Sequence, residues 1–298
     1  MPCFHPVQGW KTARGTLTTK FRPGQGLGGA ITVPCGRCIG CRLEQSRQWA
    51  VRGMHEAQLH ENNCSLTLTY DEQNYSPSLD RRDFQLFMKK ARFHFAPTRM
   101  SYLMCGEYGE KELRPHFHVA LFGVNFDKDK YYWCKSPSGC DLYRSPTLEK
   151  LWTMGGSTIG DVTFESVGYI ARYVTKKVTG EKADKHYERV DAETGELIKV
   201  KPEFIGMSLN PAIGKRWIEK YGNTDVFPHD RIVANGYEAK PPRYYDKILE
   251  QVNPEQYERM KEKRKNDSKR NEQDNTKERL KAKEAVARAA LKIKKRTI

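Results

Sequence analysis

The chain has 298 residues, enough for one sizeable domain with extensions or two small ones. Hydrophobic residues make up 38% and charged residues 30%, a balance too polar for a chain buried in lipid and apolar enough for a core, and no apolar run is long enough to span a bilayer. The net charge of +15 points to a polyanionic partner, nucleic acid before an anionic membrane surface.

Part of that charge sits at the end: residues 254–298 hold 16 Lys/Arg against eight Asp/Glu, leaving the body basic on its own account. The first residues, MPCFHPVQGWK, lack a charged start followed by an apolar stretch, so no secretory signal is expected. The cysteines are then expected as thiols or metal ligands rather than disulfides.

Residues 1–34 are rich in Gly, Pro and Thr and read as loop or extended chain. Residues 42–60 read as a helix burying Trp49, Met54 and Ala57. Cys64–Tyr70 alternates and is β-branched, a strand with Leu66 and Leu68 on one face and Ser65, Thr67 and Thr69 on the other. Residues 80–95 read as a helix capped by Asp80, with Phe84, Phe87, Met88 and Ala91 as its stripe. Two strands follow, 101–107 and 116–122, close enough in sequence to form a hairpin. A short helix near 146–152, a strand over 157–164 and a helix over 166–178 complete the regular part. Residues 181–203 read as a charged, mobile loop, and 211–221 as a helix beginning at Pro211. IVANGYE at 232–238 reads as a hairpin turning on Asn-Gly. The tail is a solvated helix or a disordered basic arm.

This order predicts an α+β fold, an antiparallel sheet with helices packed mainly on one face. The expected divisions are a Cys-rich N-terminal segment and helix (1–62), a core (63–180), an extension (181–253) and a basic tail (254–298).

His116 and His118 share one face of their strand, about two strand rises apart, while Phe117, Val119 and Leu121 point into the core. Such a pair is either two surface histidines or a grip on one cation. The preceding strand ends in Glu107, which a hairpin would bring beside them, unless it pairs with Arg114 across the turn. Two neutral nitrogens and a carboxylate suit Mn²⁺ or Mg²⁺, and also fit Zn²⁺.

On the helix from residue 166, Ile170, Ala171, Val174 and Val178 fall within about 60° of Val167 at 100° per residue. Tyr169 and Tyr173 fall on the other side, i,i+4 neighbours with Lys176 beside them. They are either surface tyrosines over basic side chains or paired nucleophiles. A phenol attacking a DNA phosphodiester forms a phosphotyrosine. Its ordinary pKa near 10 calls for help from a metal and from Lys176.

Cys35, Cys38 and Cys41 form C-x₂-C-x₂-C. No fourth cysteine followed by proline comes next, which disfavours an iron–sulfur cluster. A structural zinc site needs a fourth ligand, for which Cys3 and His5 are candidates. The alternative is reduced thiols in a turn leading into a helix.

RPHFHVALFG (114–123) resembles the His-hydrophobic-His motif of the HUH endonucleases. GYIARYVTKK (168–177) resembles the Tyr-x-x-x-Tyr-x-x-Lys motif of their two-tyrosine replication initiators, and LTLTY (66–70) their first conserved strand. With the start MPCFHP, the segment PCGRCIGCR and GEYG before RPHFH, the chain resembles the initiators of the microviruses, gokushovirus branch. The resemblance covers roughly residues 1–180.

The resemblance implies a metal-dependent DNA endonuclease and strand transferase acting in the bacterial host cytoplasm. It would nick one strand of the viral origin through Tyr169 or Tyr173, keep the 5′ phosphate, and leave a 3′ hydroxyl to prime rolling-circle synthesis. After one round the second tyrosine would attack the regenerated origin, and the released strand would be closed into a circle. Single-stranded DNA, the origin, and host DNA polymerase and helicase are the implied partners. The competing reading is a non-catalytic, zinc-stabilised nucleic-acid-binding protein, motivated by charge and cysteines alone.

Overall fold

The computed structural model describes residues 3–12, 17–19, 26–109, 112–172, 182–190 and 195–293. They fall into two compact units, one of residues 1–45 and 255–296, the other chiefly of residues 46–254.

The chain opens with strands β1 (Val7–Thr12), β2 (Leu17–Thr18) and β3 (Gly26–Val33), then helix α1 (Ile39–Ala57). Next come β4 (Asn63–Thr69), α2 (Arg81–His94), β5 (Ser101–Tyr108), β6 (Pro115–Phe122), β7 (Tyr131–Lys135), β8 (Asp141–Arg144), α3 (Pro146–Leu151), β9 (Ser157–Gly160) and α4 (Phe164–Arg172). Beyond these lie α5 (Lys182–His186), β10 (Glu188–Val190), β11 (Leu197–Lys199), β12 (Phe204–Met207), α6 (Lys215–Tyr221), β13 (Ile232–Ala234), β14 (Tyr237–Ala239) and α7 (Arg243–Val252). The tail forms α8 (Pro254–Arg270) and α9 (Lys277–Ile293).

In the larger unit, seven strands form one antiparallel sheet in the order β12-β5-β6-β4-β9-β8-β7. Alternation dictates its two faces. Leu66, Leu68, Phe117, Val119, Leu121 and Met104 bury one face against Phe84, Phe87, Met88 and Ala91 of α2 and Leu148 and Leu151 of α3. Each of the Val, Leu, Phe and Met side chains among these, fully buried, stabilises the fold by about 1.5–3 kcal/mol. On the other face Ala120, Phe122, Leu103 and Cys105 pack on Ala50 of α1 and Val167 and Ile170 of α4. The α+β class and the antiparallel sheet are as expected. Helices also cover the second face, through α1 and α4, because Leu103, Cys105, Ala120 and Phe122 make its centre apolar.

Asp80 caps α2 as expected, its carboxylate accepting from Arg82 N at 3.0 Å. The strand expected over 157–164 stops at Gly160, because Thr163 and Ser166 cap each other. Ser166 N donates to Thr163 Oγ1 at 3.1 Å and Thr163 N to Ser166 Oγ at 2.9 Å, so α4 begins at Phe164. The stretch expected as a mobile loop over 181–203 holds, among its described residues, α5 and the β10–β11 hairpin. Its anchors are Tyr187 and Val200, 3% and 2% exposed against the α2 side of the sheet. The helix expected from Pro211 begins four residues later, at Lys215 after Gly214 in the left-handed region. The Asn-Gly hairpin is present as β13–β14, with Asn235 and Gly236 both at positive φ.

In the smaller unit β2-β1-β3 form a sheet where loop or extended chain was expected. The tail is helical: Met260 and Leu280 are its buried apolar residues, and most of α8 and α9 is exposed and charged.

Candidate metal centre and tyrosine

The β5–β6 register sets Glu107 directly opposite His116, and Cys105 opposite His118. The β4–β6 register sets Thr69 opposite His116 and Thr67 opposite His118. Three neighbouring strands thus present one polar patch at one end of a face whose centre is apolar. Glu107 is 2% exposed. Its Oε1 lies 2.8 Å from His116 Nε2 and 2.9 Å from His118 Nε2. One ligand atom from each of the three residues lies within 4.8 Å of the others. Arg114 is engaged elsewhere, at 2.5 Å from Glu72.

The donor set fits a cation. His116 Nδ1 faces the carbonyl oxygen of Arg114 at 3.1 Å, an acceptor only, so that nitrogen carries the proton and Nε2 is left with its lone pair. His118 Nδ1 lies 3.1 Å from Thr67 Oγ1, which can accept its proton in the same way. Two Nε2 lone pairs then converge on a carboxylate oxygen, an arrangement that needs positive charge between them. Glu107 Oε2, buried, has no hydrogen-bond partner among the described residues. Burial alone would raise the Glu107 pKa, but when the two histidines are protonated at Nε2 their hydrogen bonds and charge hold it below the ordinary carboxylate value.

Helix α4 supplies the nucleophile candidate. Its buried side is Ser166, Val167, Ile170 and Ala171, and Tyr169 stands half-buried beside it. The Tyr169 hydroxyl lies 3.4 Å from Glu107 Oε1, and its ring packs edge-on to His118 with centroids 5.2 Å apart. Arg172 lies 5.7 Å from the centre of that ring. Tyr173 and Lys176 lie outside the described residues. Arg172 and Thr67 were not singled out as site residues from sequence. For Thr67 the signal was available, since it sits on the polar side of an alternating strand.

In the smaller unit Cys3, Cys35, Cys38 and Cys41 place their sulfurs within 4.8 Å of one another, Cys3–Cys38 at 3.9 Å and Cys35–Cys41 at 4.0 Å. Four thiolates about 2.3 Å from one zinc would stand about 3.8 Å apart at the edges of a tetrahedron. Backbone N–H groups of Phe4, Cys35 and Cys38 donate to these sulfurs, each at 3.3 Å. Burial works against charge on Cys38, yet donors from the backbone of Cys41 and Phe4 and the neighbouring thiols bring its pKa down to about 6. Cys3 completes the set; His5 is 2.6 Å from Glu284 instead.

No helix among the described residues is long and apolar enough to cross a membrane. Residues 63–178 match the family model described as replication-associated protein ORF2/G2P. The chain is 32% identical over 268 residues to replication-associated protein VP4 of Bdellovibrio phage phiMH2K, covering 86% of this chain and 80% of that one. It is 30% identical over 255 residues to replication-associated protein ORF2 of Spiroplasma virus 4, covering 80% and 75%. Replication-associated protein ORF4 of Chlamydia phage 1 is 29% identical over 234 residues, 75% of this chain and 55% of that one. No solved structure matches. On these likenesses the chain belongs to the replication-associated proteins of the microvirus-like phages.

Proposed function

We propose that the chain initiates rolling-circle replication by cutting one strand of the viral origin and later rejoining its ends. The observation that carries this is the Tyr169 hydroxyl 3.4 Å from Glu107 Oε1, within the cluster that also holds His116 and His118. Glu107, His116 and His118 would hold Mg²⁺ or Mn²⁺. The bound ion supplies Lewis acidity toward a phosphate oxygen.

The phenol oxygen of Tyr169 attacks phosphorus, the P–O3′ bond breaks, and the strand's 5′ phosphate stays on the tyrosine. In net, the phenol proton passes to the departing 3′ oxygen. The free 3′ hydroxyl primes host polymerase working with a host helicase in the bacterial cytoplasm. Tyr173, four residues on, makes the second attack, on the regenerated origin; the 3′ hydroxyl it frees attacks the Tyr169 phosphotyrosine, which closes the circle and releases the phenol, with Lys176 adding positive charge to the phosphate. Cys3, Cys35, Cys38 and Cys41 hold a structural Zn²⁺.

The test uses the full chain, Mn²⁺ or Mg²⁺, and single-stranded oligonucleotides tiled across the phage genome. A covalent adduct that survives detergent is expected, mapped by mass spectrometry to Tyr169 or Tyr173. Tyr169→Phe with Tyr173→Phe should abolish it, and His116→Ala or a chelator should slow it by about 10²-fold or more. An adduct that persists in the double variant sinks the assignment. Salt-sensitive DNA binding without any cutting, indifferent to His116→Ala, would favour the non-catalytic reading. Elemental analysis should find one zinc per chain, lost in Cys38→Ser.

A further inference from the structure

The groove at the far end of the sheet from Glu107 is not used by the proposed chemistry. It encloses about 650 Å³ between the end of α2, the turn 96–100 and the chain after β12, and Arg92, Arg99, Tyr102, Ser208 and Asn210 are among its walls. Ser101 and Glu107 are six residues apart on β5, so the groove lies about 20 Å along the strand from the metal centre.

Its chemistry is basic and aromatic. Arg81, Lys89, Arg92 and Arg99 are all exposed. None of the four forms an ion pair among the described residues. By contrast, cations on the opposite edge of the sheet are neutralised. Lys135 meets Asp141 at 2.7 Å, Lys130 meets Asp127 at 2.6 Å, and Arg144 meets Glu149 at 2.8 Å. Two of the free guanidinium groups lie over rings, Arg81 over Phe204 at 4.6 Å and Arg92 over Tyr102 at 5.8 Å. They are spread along α2 over about 16 Å. Phe93, between Lys89 and the turn, is 89% exposed. Folding gains nothing from a phenylalanine held in water beside unpaired cations. A base stacking on it while phosphates meet the cations would account for both.

We propose that this groove and the outer side of α2, on the face of the sheet opposite Glu107, bind single-stranded DNA flanking the cut, the groove itself some 20 Å from the metal centre along the strand direction. That the bound strand is the one being cut rests on the function proposed above; the binding itself does not. Single-stranded DNA is favoured over duplex because the exposed ring needs an unpaired base face.

The experiment measures anisotropy of a fluorescent 20-nucleotide oligo-dT, and of a 20-base-pair duplex, binding the full chain across a NaCl series. For oligo-dT, Lys89→Gln/Arg92→Gln/Arg99→Gln should flatten the slope of log affinity against log salt by about 2, roughly 0.7 for each lost phosphate contact. Affinity at low salt should fall about tenfold or more. Phe93→Ala should weaken oligo-dT about fivefold or more and leave the duplex unchanged. Lys135→Gln/Arg144→Gln, on the neutralised edge, should change neither slope. An unaltered slope in the triple variant overturns the proposal, as does an equal loss from the control pair. A Phe93→Ala variant that binds both DNAs like the wild type overturns the single-strand assignment. Adduct formation on an oligonucleotide spanning only the cut should be unaffected by the triple variant. If the wild type forms no adduct, the nicking reading fails while the binding data still judge the groove.

Discussion

At the scale of single residues, Thr67 sets how His118 can act. For His118 Nε2 to offer a lone pair toward Glu107, Nδ1 must carry the proton, and Thr67 Oγ1 at 3.1 Å is its acceptor. The backbone does the same for His116 through the Arg114 carbonyl, so only His118 depends on a side chain that mutation can remove. Thr67→Val keeps the shape and β-branching and removes the acceptor. We expect Mn²⁺ affinity, measured by calorimetry on the DNA-free chain, to drop about tenfold, within the range for lost outer hydrogen bonds to a ligand. Thr67→Ser should restore it. Equal affinity in Thr67→Val and wild type would show that Thr67 is only a strand residue. The histidines and Glu107 could be read from strand alternation and hairpin proximity, but the tautomer control could not, since it depends on which residue of β4 the register sets against His118.

At the scale of elements, legibility followed burial contrast. β4, the first half of β6 and α2 each have one fully buried side and one wetter side, and each was visible as a period of two or 3.6. β12 and β7 were not. Every residue of β12 is half-buried, and β7 is exposed at Tyr131, Tyr132 and Trp133, so neither edge strand shows a period. The end of β9 was missed because Thr163–Ser166 capping does not use the Glu or Gln of the usual signature. The crossing of α1 and α4, which carries Tyr169, was also invisible. It depends on Gly53, where an added Cβ would stand 2.5 Å from Val167 Cγ1. Gly53→Ala must therefore push α4 away or distort Val167. Overpacking of this kind costs about 1–3 kcal/mol, measurable as a lower urea midpoint. The displaced Tyr169 should also cut more slowly at saturating Mn²⁺. A variant with unchanged stability and rate would mean the two helices part freely at this point.

At the scale of the whole molecule, the larger unit holds α1 to its C-terminal part through a buried polar joint, and that joint sets its response to acid. His55 is 5% exposed, stacked 3.5 Å from Trp217 of α6, with Nδ1 2.8 Å from the Tyr245 hydroxyl of α7. Burial lowers its pKa to about 4. The folded chain therefore keeps His55 neutral while an unfolded chain protonates it near 6.5, and stability drains as pH falls from about 6.5 to about 4. The full shift is worth about 3 kcal/mol. Next to it Glu56 is buried, and burial alone would raise its pKa. Hydrogen bonds from His60, the Gly214 N–H and Arg216 outweigh that and bring it to about 2. Its contribution is complete above about 4.5 and is lost only as pH falls toward 2, after the His55 contribution has gone. Arg52 stays charged throughout, held between Trp49 and Tyr244 and donating twice to the Ile213 carbonyl. Urea midpoints at pH 7, 5.5 and 4.5 should therefore fall in step in the wild type. His55→Phe should start lower, for loss of the Tyr245 hydrogen bond, and fall less across the same interval. If both chains lose the same stability between pH 7 and 4.5, the acid response arises elsewhere and His55 is not its source.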